Sequence, residues 1–104
     1  MTPLIANLEK LLASGKDSAL LRFGLGNAYL DAGDAAAAVP HLQRAVAQNP
    51  DYSAAWKLLG KSLAATGDSS GAIDAYNAGI AVAERLGDKQ AMKEMQVFLR
   101  RLER

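Results

Sequence analysis

With 104 residues, half of them apolar, the chain has length for one domain and apolar content for one packed core. Twelve basic and eleven acidic residues give a formal net charge of +1, which removes any electrostatic case for nucleic acid or an anionic membrane as partner. There is no cysteine, so disulfides and thiolate metal sites are excluded and a reducing compartment, the cytoplasm, is the expected location. The start Met1-Thr2-Pro3-Leu4 has no basic n-region and no long apolar run, so no signal peptide is expected. No stretch approaches the roughly 18 apolar residues of a membrane span.

Alanine is abundant while β-branched and aromatic residues are few, a mix that favours helix. Thr2 is placed to cap a first helix with Pro3 at its first position. Leu4, Ile5, Leu8, Leu11 and Leu12 then share one face, and Gly15 stops the helix near Ser14. Asp17 or Ser18 caps a second helix with the apolar set Leu21, Leu25, Ala28 and Tyr29, stopped by Gly33. Asp34 caps a third, running to about Gln48, whose buried stripe is Val39, Leu42, Ala45 and Val46. Pro40 lies past the free N–H groups of that helix and predicts one lost hydrogen bond and a mild bend. Asn49-Pro50-Asp51 is a break. A fourth helix is predicted from about Ser53 to Thr66, with Trp56, Leu59, Gly60 and Leu63 on one face. Gly67-Asp68 repeats the stop and cap of Gly33-Asp34, and a longer fifth helix runs from near Ser70 to about Leu86. Gly87-Asp88 supplies the next stop and cap. A last helix from Lys89 to the end carries the stripe Met92, Met95, Phe98, Leu99 and Leu102, backed by charges that include Lys89, Lys93, Glu94 and the cluster Arg100, Arg101 and Arg104. Turns this short force antiparallel neighbours.

A period of 34 residues organises the chain. It carries Gly26 to Gly60, Gly33 to Gly67, Asp34 to Asp68, Ala38 to Ala72, Leu42 to Tyr76 and Ala45 to Gly79. Leu25-Gly26, Tyr29, Ala38, Leu42, Ala45 and Pro50 in one copy, and Trp56, Leu59-Gly60, Leu63, Ala72, Tyr76 and Gly79 in the next, give a pattern that resembles the tetratricopeptide repeat. Departures are Arg22 in the tryptophan place, Leu63 in the tyrosine place and Glu84 in the proline place. The resemblance implies an all-α fold of six helices, a right-handed superhelical stack of antiparallel helix hairpins in one domain over 1–104. Residues 1–18 form an N-terminal half-repeat helix, 19–52 and 53–86 two full repeats, and 87–104 a C-terminal capping helix. Leu4, Leu8 and Leu11 take the alanine, aromatic and alanine places of the degenerate leading unit. Gly26 and Gly60 fall inside helices, where glycine costs about 0.5–1 kcal/mol relative to alanine. Close approach of another backbone is the expected compensation, with Ala38 and Ala72 opposite within each hairpin, and Ala45 and Gly79 between one hairpin and the next.

The resemblance further implies a concave face lined by the first helix of each hairpin. Its positions are Leu20, Phe23, Gly24, Asn27, Leu30 and Asp31 in one copy, and Ala54, Lys57, Leu58, Lys61, Ala64 and Ala65 in the next. Phe23, Asn27 and Leu30 share a helix face that is not the Leu21, Leu25, Ala28 stripe, so Phe23 and Leu30 are apolar residues left for a groove floor or for packing under the N-terminal helix. Lys57 and Lys61 stand one turn apart, as a basic wall that suits a carboxylate. The expected function is therefore protein–protein interaction, as adaptor, scaffold or assembly factor. The ligand is an extended or helical segment of another protein, an acidic one fitting the lysines. The alternative is a structural self-association domain, and the expected state is a monomer or weak homo-oligomer. Family members that take a C-terminal carboxylate use a clamp of Lys, Asn and Arg. Only Asn27 matches it, while Phe23 and Leu58 stand where Lys and Asn are needed, which argues against that ligand.

No catalytic or cofactor-binding set competes. His41, the single histidine, has no cysteine or second histidine with which to share a metal and is expected on the surface of the third helix. Capping accounts for Asp34 and Asp68. Gly24-Leu25-Gly26 lies mid-helix without the Lys-Ser/Thr of a phosphate loop. The serines lack a histidine base. The expectation is a protein that is not an enzyme and holds no cofactor.

Overall fold

The computed structural model describes residues 2–103, and among them are six helices: α1 (Pro3–Ala13), α2 (Ala19–Asp31), α3 (Ala35–Gln48), α4 (Ser53–Ala65), α5 (Ser69–Leu86) and α6 (Lys89–Leu102). Arg104 of the C-terminal charge cluster lies outside the described residues. The boundaries follow local chemistry. The side chains of Thr2, Ser18, Asp34, Asp68 and Asp88 accept from the N–H groups of Ile5, Leu21, Ala37, Gly71 and Ala91 at 2.8–3.1 Å. Each satisfies one free donor of its helix. Helix α4 has no side-chain cap; the turn before it is held by Asn49 Oδ1, which accepts from Asp51 N–H at 3.2 Å. Gly33 and Gly67 close α2 and α4 with φ of 82° and 89°, a region where a side chain would be strained.

Helices α2 and α3 form one antiparallel hairpin and α4 and α5 a second, with α3 packed on α4 and α5 on α6. The first helices α2, α4 and α6 lie in a row, α2 touching α4 and α4 touching α6. The core runs as two clusters. One holds Ala38, Leu42, Ala45, Val46, Ala55, Leu58, Leu59 and Ala75; the other holds Ala72, Tyr76, Ala83, Ala91 and Met95.

The mid-helix glycines do mark close approach, but to large side chains. A Cβ on Gly26 would lie 2.5 Å from Cδ2 of Leu42, and one on Gly60 2.6 Å from Cδ1 of Tyr76. Ala38 and Ala72, the partners expected, are fully buried, but the atoms nearest the glycine positions belong to Leu42 and Tyr76. Leu42 and Tyr76 fill the aromatic place of each repeat, so a glycine gives the bulky residue its socket. A Cβ on Gly79 would meet both Trp56 on α4 and Sδ of Met95 on α6.

The apolar stripe expected on α1 is only partly used. Ile5 is buried, but Leu4 and Leu11 are 59 % and 46 % exposed. Helix α3 is clasped between α2 and α4 and α5 between α4 and α6, whereas among the described residues α1 packs its backbone against α2 and reaches α3 only through the Glu9 side chain.

Candidate partner-binding groove

The row of first helices sorts the expected groove residues into three groups. Leu20, Asn27, Asp31, Lys61 and Ala65 are exposed. Phe23, Leu30 and Ala64 are half-buried and packed against the core clusters. The Phe23 ring stacks on Tyr52, with centroids 4.9 Å apart, at the α3–α4 turn. It therefore packs toward the next hairpin, not under α1. Leu58 is buried and supports α4 from beneath without offering surface. Gly24 faces Leu8 of α1, whose Cδ1 a Cβ added at Gly24 would meet at 4.0 Å. Apart from the exposed Leu20, the surface offered is thus mainly polar and small where apolar side chains are expected. Phe23, Leu30 and Leu58 are drawn inward because successive hairpins need apolar contact between them.

The basic wall is also modified. Lys57 Nζ is 3.4 Å from Glu94 Oε1 on α6, and its side chain is 26 % exposed. Around this pair is a shallow hollow of about 250 Å³, lined in part by Ser53, Ala54, Gln90 and Ala91. Lys61 is the exposed cation of the pair. Its Nζ lies 5.5 Å from the centre of the Phe98 ring, and the Arg101 guanidinium lies 5.9 Å from the same ring. Both distances suit cation–π attraction. Lys61, Phe98 and Arg101 therefore gather two exposed cations about one aromatic ring.

This contribution of α6 was hidden by a slip of two residues. A strict period from Ser53 starts the next unit at Gly87, whereas α6 starts at Lys89 after the longer α5. In the shifted register Met92, Met95 and Leu99 take the places of Trp56, Leu59 and Leu63. Helix α6 packs beside α4 in the row that α2 begins.

On the opposite side is a polar network around His41. The ring is stacked parallel to Tyr29 at 5.6 Å, and its side chain is 14 % exposed. It is not the free surface residue expected. Arg22 Nη1 donates to His41 Nδ1 at 3.2 Å. Arginine cannot accept, so the neutral ring carries its proton on Nε2, which faces Glu9 Oε1 at 3.4 Å. Arg22 also donates from Nε and Nη2 to Asp17 at 2.8 and 2.9 Å, and Gln48 donates to Asp17 at 3.0 Å. The hydrogen bonds from Arg22 and Gln48 hold the Asp17 carboxyl below the usual carboxylate range. Burial pushes His41 down, against the opposing pull of Glu9. Burial also pushes the Tyr76 phenol up to about 12. These groups brace α1, α2 and α3; none is paired as nucleophile and base. Among the described residues no three His, Cys, Asp or Glu side chains are grouped to hold a metal ion, and no helix is long and apolar enough to cross a membrane.

Paired helices repeating at a fixed period, with glycine sockets and a row of first helices on one face, define a stacked helical-hairpin repeat protein. The sequence model of the tetratricopeptide repeat matches residues 23–87. The chain belongs to the tetratricopeptide repeat family, whose domains are in general protein-interaction modules and typically non-catalytic. It is 62 % identical over 101 residues to the TPR repeat-containing protein PA0015 of Pseudomonas aeruginosa, covering 97 % of this chain and 96 % of that one. The solution structure of protein BPP2914 from Bordetella parapertussis superposes with a TM-score of 0.83 at 48 % identity, over 99 % of this chain and 90 % of that one. The crystal structure of a tetratricopeptide repeat domain protein from Salinibacter ruber gives 0.77 at 28 % identity, over 84 % and 97 %.

Proposed function

We propose that the face formed by α2, α4 and α6 binds an acidic, largely polar segment of another protein, and that the chain serves as an adaptor or assembly factor in the cytoplasm. The observation that carries this is the Lys61–Phe98–Arg101 group. Both cations are exposed and held about one ring, so little side-chain freedom is left to lose when a carboxylate arrives. Asn27 and Asp31 on α2 continue the face with hydrogen-bonding groups, which favours a ligand with exposed backbone or polar side chains over an apolar helix. Lys57 is occupied by Glu94 and contributes second, by exchanging that partner for a ligand carboxylate.

The test is selection from a random peptide display library on the immobilised protein. Acidic sequences should be enriched, and their binding should fall at least tenfold for the Lys61→Glu, Arg101→Glu variant. Enrichment of apolar or basic peptides, or binding indifferent to that variant, rules the proposal out.

A further inference from the structure

We propose that the chain forms a weak symmetric dimer in which α1 of one copy lies antiparallel against α1 of a second. The 34-residue period makes Leu4 and Leu11 the counterparts of Ala38 and Ala45 on α3. Those two alanines are fully buried, while Leu4 and Leu11 are 59 % and 46 % exposed. The difference lies in what covers them. Helix α3 is held between α2 and α4, whereas the side of α1 that a preceding first helix would cover is open among the described residues. The open strip continues onto α2. Leu4 shares a shallow hollow of about 270 Å³ with Ala28, Asp31 and Ala32; Leu8 lies over Gly24; and one turn on is Leu20, 72 % exposed.

The occupant is read from side-chain size and from charge. Inside a hairpin the alanine places hold helices at close range, and a leucine there would force them apart. Leu4, Leu8 and Leu11 instead give the i, i+4, i+7 spacing of leucine packed against leucine between helices. Reversing the row exchanges its two ends and leaves Leu8 near the middle, so an antiparallel copy sets Leu4 against the partner's Leu11 and Leu11 against the partner's Leu4. Such self-complementarity is what a two-fold interface requires. Charge follows the same symmetry. The Leu4 end carries Asp31 and Asp34. The Leu11 end carries Lys10 and Lys16, while its acidic groups are turned to other partners, Glu9 to His41 and Asp17 to Arg22. Antiparallel pairing brings the acidic end of each copy to the basic end of the other. Among the described residues the far end of the stack exposes Leu86 and Val97, but α6 also turns Lys93, Gln96 and Arg100 to solvent, so the exposed apolar residues there stand singly among polar ones. A few leucines fall short of the roughly 800 Å² per partner of a stable interface, so dissociation in the range of about 10 µM to 1 mM is expected.

Sedimentation equilibrium across that range tests the idea. The weight-average mass of the wild type should climb from 11.0 kDa towards twice that value. The Leu4→Gln, Leu11→Gln variant should stay monomeric with unchanged helical circular dichroism, since both side chains are exposed. A wild type that remains monomeric at 1 mM, or a variant that dimerises equally, overturns the proposal. Isotope-filtered NMR on a half-labelled sample tests the pairing independently of any variant. Intermolecular contacts between Leu4 and Leu11 methyls are expected; contacts at Leu86 or Val97, or Leu4 against Leu4, overturn it.

Discussion

Gly26 and Gly24 stand two residues apart in α2, and alanine substitution should move stability in opposite directions at the two sites. Either change relieves the backbone cost of glycine in a helix, worth about 1 kcal/mol. At Gly24 nothing offsets the gain, because the new methyl would meet only Cδ1 of Leu8 at 4.0 Å, an ordinary contact. Gly24→Ala should therefore stabilise by about 0.5–1 kcal/mol. At Gly26 the methyl would lie 2.5 Å from Cδ2 of Leu42. Leu42 has no exposed surface and no free direction in which to move. A contact this short with three atoms of Leu42 puts the overpacking cost in the upper part of its usual range, about 2–3 kcal/mol, so the net loss is about 1–2 kcal/mol. A domain of this size shifts by about 4–8 °C per kcal/mol, so Gly26→Ala should melt roughly 5–15 °C below wild type and Gly24→Ala a few degrees above it. The assay is thermal and urea denaturation followed by circular dichroism. A Gly26→Ala protein as stable as wild type refutes the socket argument. Equal destabilisation by both changes assigns the sensitivity to α2 as a whole and refutes it too. Gly26→Ala and Leu42→Ala combined should lose less than the sum of the two, by at least about 1 kcal/mol of coupling.

His41, Asp17 and Pro40 give three further outcomes. The fold holds the His41 pKa below its ordinary value, so the neutral ring is the one it favours. Stability from this site is then full above the unfolded pKa of about 6.5 and is lost as pH falls through the lowered folded value. The urea midpoint should drop between pH 7 and pH 5, and His41→Gln should flatten that drop. Asp17 loses its Arg22 and Gln48 bonds only on protonation, below the ordinary carboxylate range, so its effect appears under about pH 4. Pro40 is exposed inside α3 and withholds one backbone donor. Pro40→Ala should raise stability by about 2 kcal/mol, being the interior proline cost of about 3 kcal/mol less the roughly 0.4–1 kcal/mol of entropy that proline removes from the unfolded chain, and a melting temperature at or below wild type would contradict it.

The fold was legible because its signals are local. Thr2, Ser18, Asp34, Asp68 and Asp88 cap their helices as their side chains dictate, and Gly33 and Gly67 stop theirs by φ alone. The candidate groove was legible only as a list of positions. Whether a position is surface depends on the neighbouring hairpin, and that is a contact between residues far apart in sequence. Phe23 turns to Tyr52 and Leu58 turns to the core, which no helix-face argument on α2 or α4 alone separates from the outward Asn27 and Lys61. His41 was misplaced for the same reason. Its partners Glu9, Arg22 and Tyr29 come from two other helices and carry no common spacing. The longer α5 shifts the register of α6 by two residues, so a strict 34-residue comparison does not set Met92, Met95 and Leu99 beside Trp56, Leu59 and Leu63.

Arg22 in the tryptophan place shows what that position requires. Trp56, its counterpart one period on, donates from its indole N–H to the Pro50 carbonyl at 2.8 Å and so ties the preceding turn to α4. Arg22 ties the preceding turn to α2 through Asp17, five residues back. Asp17 and Asp51 are themselves one period apart, and each is also reached from the end of the following second helix. Gln48 at the end of α3 donates to Asp17, and Arg85 at the end of α5 donates to Asp51. Both units therefore fasten the turn that enters the hairpin to the last turn that leaves it. An arginine serves where a tryptophan usually stands because the task is to hold the entering turn, and a forked donor facing a carboxylate does this as well as an indole facing a carbonyl. The arginine brings a second consequence that the tryptophan lacks. Its remaining N–H group engages His41, and His41 faces Glu9. Helix α1 is thereby joined to α3 through polar contacts at the end of the stack where it lacks the second apolar clasp that α3 and α5 enjoy.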